Sequence, residues 1–318
     1  MKLDSKGNIL AGSLAILIIT LFLVFIFVFT SINYIENENI EFNGNDNFKY
    51  IVDDYANDLE ILQRDSIERA TEKVYTNFRL LDSEHQIKKN LNEELSEKNE
   101  EYLKKYGVKI SSQAVSVKSS SSPWKVSFKV KISMEKDNIK FNKIIERNTS
   151  IEGLKDPLPP AILTSGSGIS YYKDKIYYLH SLSRYMWIHH LDSPESYMFA
   201  TAPLTIKKCP YDPYIHHGDP GVLEDCLDKG YFHESADGSC YLCRLEGKGK
   251  CEHYGLEVFI QTHTPLNNTT LSCSDHVVYH DHYNGEKISS GLDSLILDSS
   301  HKKKYGLIKD GQQGNNDN

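Results

Sequence analysis

The first 208 residues contain no cysteine, and the stretch from Ile9 to Ile32 contains no charged residue. The first absence excludes a disulfide or thiolate-metal framework from the N-terminal two thirds of the chain. The second excludes an ordinary surface helix, which would show a polar face. The recurrent catalytic patterns are missing too: there is no HExxH, no phosphate-binding loop and no dinucleotide fingerprint. Ser165-Gly166-Ser167-Gly168 reads as a Gly/Ser turn rather than a nucleophile elbow. His233-Glu234 with Asp237 beside Gly238 reads as a turn rather than an acid–base pair. The expectation is a protein that is not an enzyme, with no catalytic residue assigned. A basic face of Arg interleaved with aromatics is also lacking, which excludes nucleic acid as a partner.

What is present begins with the apolar run. Leu14–Phe29 is almost wholly Ile, Leu, Val and Phe. At about 1.5 Å per residue, a run of this length crosses a hydrocarbon core of about 30 Å. Lys2 and Lys6 precede it and Glu36, Glu38 and Glu41 follow it, so the N-terminus is expected in the cytoplasm and the rest outside. This predicts a single-pass protein of the cell membrane, held by lipid around its N-terminal helix. Three glycosylation sequons, at Asn148, Asn267 and Asn268, suit an extracellular location.

The net charge of −8 is unevenly spread. Residues 33–107 carry 18 acidic against 10 basic side chains, and residues 108–155 carry 4 against 10. Apolar positions stepping by threes and fours predict one helix over Phe48–Leu81. A second is expected from a Ser83/Gln86 capping box to a terminal Gly107. Trp124, Val126, Phe128, Val130, Ile132 and Met134 alternate with polar residues, which predicts a half-buried antiparallel strand. Val115 and Val117 belong to the strand before it, and Ile139 and Phe141 to the strand after. Pro157, Pro159 and Pro160 then mark a boundary. The fold class expected is α+β: a transmembrane helix continuing into amphipathic helices packed on a small antiparallel sheet, then a β-rich cysteine-containing domain. The organisation is a cytoplasmic leader at 1–8, the membrane helix at 9–32 and a helix-plus-sheet domain at 33–155. A Cys/His/Tyr-rich outer domain follows at 156–300, then a disordered tail at 301–318.

All six cysteines (Cys209, Cys226, Cys240, Cys243, Cys251 and Cys273) and twelve of the thirteen histidines lie in the outer part. An even number of cysteines outside the membrane suits three disulfides and no cofactor. The alternative is structural zinc on Cys240, Cys243, Cys251 and His253, because a CxxC turn brings two sulfurs together and imidazole completes a tetrahedron. His216-His217 also invites a metal reading, and on a strand His276, His280 and His282 would share a face able to hold a second ion. Tyr171, Tyr172, Tyr177, Tyr178 and Trp187 offer rings for stacking on surface glycans, or core.

Lys6-Gly7-Asn8 before a long apolar helix and an α/β head resembles the archaeal type IV pilin-like proteins. The stretches Gly153–Leu158, Tyr231–Gly238, Arg244–Gly247, Gly255–Glu257 and Asp275–Val278 are similar to extracytoplasmic pilin-like proteins of methanogen type. The resemblance implies processing between Gly7 and Asn8, other pilin-like subunits as partners, and a role in adhesion or assembly. Processed pilins carry a glutamate where this chain has Gly12, which implies a retained or minor subunit. The alternative function is a membrane-tethered metal-binding protein or metal-dependent hydrolase using the Cys/His cluster.

Overall fold

The computed structural model describes residues 19–20, 46–77, 79–163, 168–191, 194–263, 270–279, 286–290, 293–297 and 299–307. The expected membrane helix at 9–32 therefore lies outside the described residues except for Ile19 and Thr20, as do Gly7, Asn8, Asn267, Asn268, His280 and His282. Among the described residues, no helix is long and apolar enough to cross a membrane. The chain divides into two compact units, Met1–Tyr55 and Ala56–Asn318, and the second carries everything that follows.

Helix α1 spans Asp46–Asn77 and α2 spans Ser83–Tyr106. Within the second unit α1 buries Leu59, Gln63, Ser66, Ile67, Ala70 and Val74, a single face at helical spacing. Ser66 closes the polar gap in that stripe by donating to its own helix at the Gln63 carbonyl (2.7 Å), while Asn90 Nδ2 of α2 donates to the Ser66 carbonyl (3.0 Å). α2 buries Ile87, Leu91, Leu95 and Tyr102. Its C-terminus is the expected one: Gly107 is left-handed (φ 65°) and donates back to the Leu103 carbonyl at 3.0 Å. Its N-cap differs from expectation. Asp82 accepts from the His85 amide (2.9 Å), while Ser83 is drawn away to Glu246 Oε1 (2.8 Å).

The alternating run forms the central strand of an antiparallel meander, β1 (Lys109–Ser119), β2 (Lys125–Lys136) and β3 (Ile139–Ser150). Val126, Phe128, Val130, Ile132 and Met134 are buried, each removing apolar surface at roughly 1.5–3 kcal/mol per side chain. α2 lies on β1, tied by Asn92 Oδ1 to the Ala114 amide (2.8 Å) and by Lys88 to the Val115 carbonyl (2.9 Å). A bulge between Ala114 and Ser116 turns Val115 outward and leaves Val117 buried. Asn148 is exposed on β3.

The remaining chain builds an eight-stranded sheet. Its strands are β4 (Ser170–Tyr172), β5 (Lys175–Tyr177), β6 (Thr201–Pro203), β7 (Phe232–Ser235), β8 (Gly255–His263), β9 (Thr270–Ser274), β10 (Glu286–Ser290) and β11 (Asp293–Leu297). The order is β10-β11-β9-β8-β6-β5-β4, with β7 pairing β8 to one side. All pairs are antiparallel except β11 with β9.

The proline boundary carries regular structure of its own, and two other local expectations are corrected. Leu158–Ile162 is a one-turn helix, α3, with Leu158, Pro159, Pro160 and Ala161 buried. Proline is tolerated there because a first turn needs no amide donor. Asp275–Tyr279 is a helix (α7, which follows α4 at Ser181–Ile188, α5 at Val222–Lys229 and α6 at Tyr241–Leu245), not a strand. A four-residue apolar run carries no period that separates the two. The tail is folded through residue 307: Ser299–Lys304 is α8, and Tyr305 is fully buried.

At the centre lies Arg244 of α6, 1 % exposed. Its Nε and Nη2 hold both oxygens of Asp156 at 2.8 and 2.7 Å, and Nη2 also reaches Asp275 Oδ2 at 2.8 Å. Nη1 donates to the Leu256 carbonyl at 3.1 Å, and Asp275 Oδ1 accepts from the Val258 amide. One guanidinium thus joins α6, the entry to α3, β8 and the start of α7. Replacing it leaves two carboxylates buried without their cation. Arg244→Met is expected to destabilise by roughly 3–5 kcal/mol in urea unfolding, and Arg244→Lys to recover little, since an ammonium cannot grip two carboxylates bidentately.

Candidate metal centres

The CxxC segment stands where α6 begins. Cys240 is its N-cap with extended backbone (φ −67°, ψ 161°), and Cys243 sits inside the single turn. Gly238 makes the approach possible, because a Cβ there would overlap the Leu256 carbonyl oxygen of β8. The chain returns through Gly247 so that Cys251 and His253 face the same two sulfurs. The four ligand atoms lie within 4.8 Å of one another. His253 Nδ1 is 3.6 Å from Cys240 Sγ and 3.9 Å from Cys243 Sγ. The Cys240 amide donates to Cys251 Sγ (3.3 Å), and Ser119 Oγ of β1 lies 3.0 Å from Cys240 Sγ. This is the set expected from sequence. Cys240 and Cys243 are buried, Cys251 is half-buried and His253 is exposed.

A second four-ligand group was not assembled from sequence. Cys209, His217, Cys226 and His233 also converge within 4.8 Å, and all four are buried. They come from four places: a loop whose Cys209 amide donates to the Phe232 carbonyl (3.0 Å), the short turn Tyr214–Gly218, α5, and β7. Cys226 Sγ is 3.1 Å from His233 Nε2, which is 3.1 Å from His217 Nε2, and Cys209 Sγ is 3.6 Å from His217 Nε2. His217 Nδ1 lies 2.7 Å from the Tyr214 carbonyl. That contact puts the proton on Nδ1 and leaves the Nε2 lone pair facing the group, the usual outer-shell arrangement of a metal-bound imidazole. Tetrahedral zinc with bonds of about 2.0–2.3 Å requires ligand-to-ligand edges of roughly 3.3–3.8 Å. One edge in each group, 3.6 Å, lies inside this range, and the others given (3.1, 3.1 and 3.9 Å) lie within a few tenths of an ångström of it. The sequence signal was the alternation Cys209, His217, Cys226, His233, hidden by irregular spacing.

Electrostatics point the same way. The Cys226 thiol, with His217 and His233, pulls Cys209 down against the effect of burial, and Cys226 is pushed up in turn by Cys209 and by burial. In the other group Cys240 and Cys243 pull Cys251 down, while Cys240 and Cys251 push Cys243 up. One thiolate per group forms easily and the next is resisted, because anions this close repel unless a cation lies between them.

All six cysteines are free in the structure, whereas the sequence suits three disulfides. Their positions bear on the pairing. Two sulfurs lie in one group, three in the other, and Cys273 stands alone in the core, where Tyr197 donates to its sulfur (3.3 Å) and burial pushes its thiol up to about 12. Pairing within these groups gives at most two disulfides, not three.

Of the second expected metal set, His276 is on helix α7, and His280 and His282 lie outside the described residues. His276 joins Glu257 of β8 and His301 of α8, all buried. Glu257 Oε2 is 3.0 Å from His276 Nδ1 and 2.9 Å from His301 Nε2, and it accepts from Ser274 Oγ (3.2 Å). Glu257 Oε1 accepts from Lys304 Nζ (2.6 Å) and the Tyr305 hydroxyl. Of the aromatics, Tyr178 is core, whereas Trp187 is 72 % exposed. Comparison of the chain with family models, with curated proteins and with solved structures gives no match.

Burial alone would raise the Glu257 carboxyl, but the Lys304 charge and the bonds from His276 and His301 hold it well below the usual range. A group depressed in the folded state stabilises above its unfolded pKa of about 4.3, and that contribution is lost as pH falls toward its folded value. Stability measured from pH 6 downward is expected to drop below about pH 4.3. Glu257→Gln should start lower and show a shallower acid limb.

Proposed function

We propose that this chain is a membrane-anchored surface module whose outer, β-rich part is stapled by two structural zinc ions. One is held by Cys240, Cys243, Cys251 and His253, the other by Cys209, His217, Cys226 and His233. The observation that carries this reading is the convergence of two separate sets of four S and N ligand atoms, each set within 4.8 Å. Four protein ligands close the coordination shell, which suits a structural rather than a catalytic role. Anchoring rests on the uncharged run from Ile9 to Ile32. The layout, helices laid on an antiparallel meander beyond that run, favours a pilin-like subunit that displays the outer part for adhesion or assembly.

Zinc here acts through folding. The CxxC loop and the Tyr214–Gly218 turn have little regular structure of their own, and metal bonds supply what a larger core would. The membrane-extracted full chain is expected to carry at least two zinc ions, one per cysteine group, in its native mass spectrum, with a fully reduced mass once denatured. A denatured mass lowered by the hydrogens that disulfide formation removes, with no metal in the native spectrum, would overturn the reading. Cys243→Ser and Cys226→Ser should each lose one ion and keep the other.

A further inference from the structure

Glu257, His276 and His301 differ from both cysteine groups in ligand type and number. They present two nitrogens and one oxygen, with no sulfur, and there are three of them. We propose that they form a third metal centre, of the open kind, which takes a divalent transition ion and presents it to the neighbouring cleft.

Four observations carry this. The two imidazole nitrogens, from α7 and α8, meet the same carboxylate oxygen of β8 at 3.0 and 2.9 Å. Three ligands on one face of an ion, with bonds of about 2.0–2.1 Å at right angles, are separated by about 2.9 Å. These two edges match that spacing, and the two imidazole nitrogens lie within 4.8 Å of each other. Next, the carboxylate is already oriented by its other oxygen: Lys304 and Tyr305 hold Oε1, which leaves Oε2 as the ligand atom. Outer-shell contacts of this type fix first-shell ligands in metal sites.

Third, the ligands are anchored outside the set. Asp275, adjacent to His276, is locked to Arg244, and α8 is pinned by Lys304 to the Glu234 carbonyl (2.5 Å). The fourth observation is the surroundings. His301 and Lys304 line a cleft of about 640 Å³ whose other walls include Asp212, Glu234, Asp237 and Tyr254. Asp237 Oδ2 lies 4.0 Å from His301 Nε2 on that side. Catalytic centres differ from structural ones in keeping a position for water or substrate beside three protein ligands, and this set alone of the three has that form. Nitrogen and oxygen donors without thiolate suit zinc, iron(II), manganese or cobalt, whereas the cysteine groups select soft, tetrahedral binding.

Cobalt(II) loading of the full chain in detergent tests the proposal together with the zinc reading but separates the two. Thiolate-to-cobalt charge-transfer absorption reports only the cysteine groups, and total bound cobalt counts all sites. Three equivalents are expected in the wild type. His301→Ala and His276→Ala should each bind two, with the charge-transfer bands unchanged. A wild-type count of two with those bands present overturns this proposal and leaves the zinc reading standing, and it needs no variant that folds. Retention of three equivalents in His301→Ala also overturns it. Absent charge-transfer bands alongside one equivalent lost on His301→Ala would sink the zinc reading and support the third centre.

Discussion

Arg244 is the point on which the second compact unit turns. A guanidinium that is fully buried has to have its charge met where it stands, and it is met by Asp156 and Asp275 with geometry that uses both edges of the group. The consequence reaches further than one ion pair. Asp156 opens the buried proline turn, Asp275 opens the helix that carries His276, and Arg244 itself follows Cys243 directly. Burial pushes the Asp275 carboxyl up while Arg244 pulls it down, so the trio is tolerated only as a unit. Such networks add little net stability but penalise any arrangement that separates them. Here the arrangement they enforce is the one that brings the CxxC turn, β8 and α7 together.

Around that hub the structure is held by two kinds of force. The α1–α2 hairpin and the meander are held by apolar burial on faces of regular period, with lysines and glutamates left in water. Much of the sheet beyond has short strands and long connections, and the Cys/His groups gather a loop, a turn, α5 and β7 at one place and a single loop at the other. The proposed zinc ions would substitute for the core that such loops cannot form. Glu257 is the counterpart to Arg244, a buried anion met by five residues beyond β8. Because Lys304 and Tyr305 supply two of its contacts, residues 301–307 are part of the fold.

How much was legible followed from how local the determinant was. The amphipathic helices, the Gly107 terminus and the Trp124–Met134 alternation were readable because their periods are fixed by backbone geometry and one buried face. The Cys240/Cys243/Cys251/His253 set was readable because it lies in fourteen residues. Asp82 as the cap of α2 was misread as Ser83, because a distant residue, Glu246, claims the serine. The Asp275–Tyr279 helix was misread as a strand, since nothing within HVVY separates the two forms and Asp275 is fixed from outside by Arg244.

The sequence by itself therefore determined the period and polarity of each element, the confinement of all thiols to the chain beyond Lys208, and the one candidate Cys/His set closed within a single loop. Only the tertiary structure decided which distant residues meet. It joined Cys209 and His217 to Cys226 and His233, isolated Cys273 in the core, folded residues 301–307 against Glu257, and set two histidines from different helices on one carboxylate oxygen. The reason is physical. Period is dictated by the backbone within a few residues, whereas convergence depends on loop closure and on where buried charges find partners, and neither leaves a repeat in the chain.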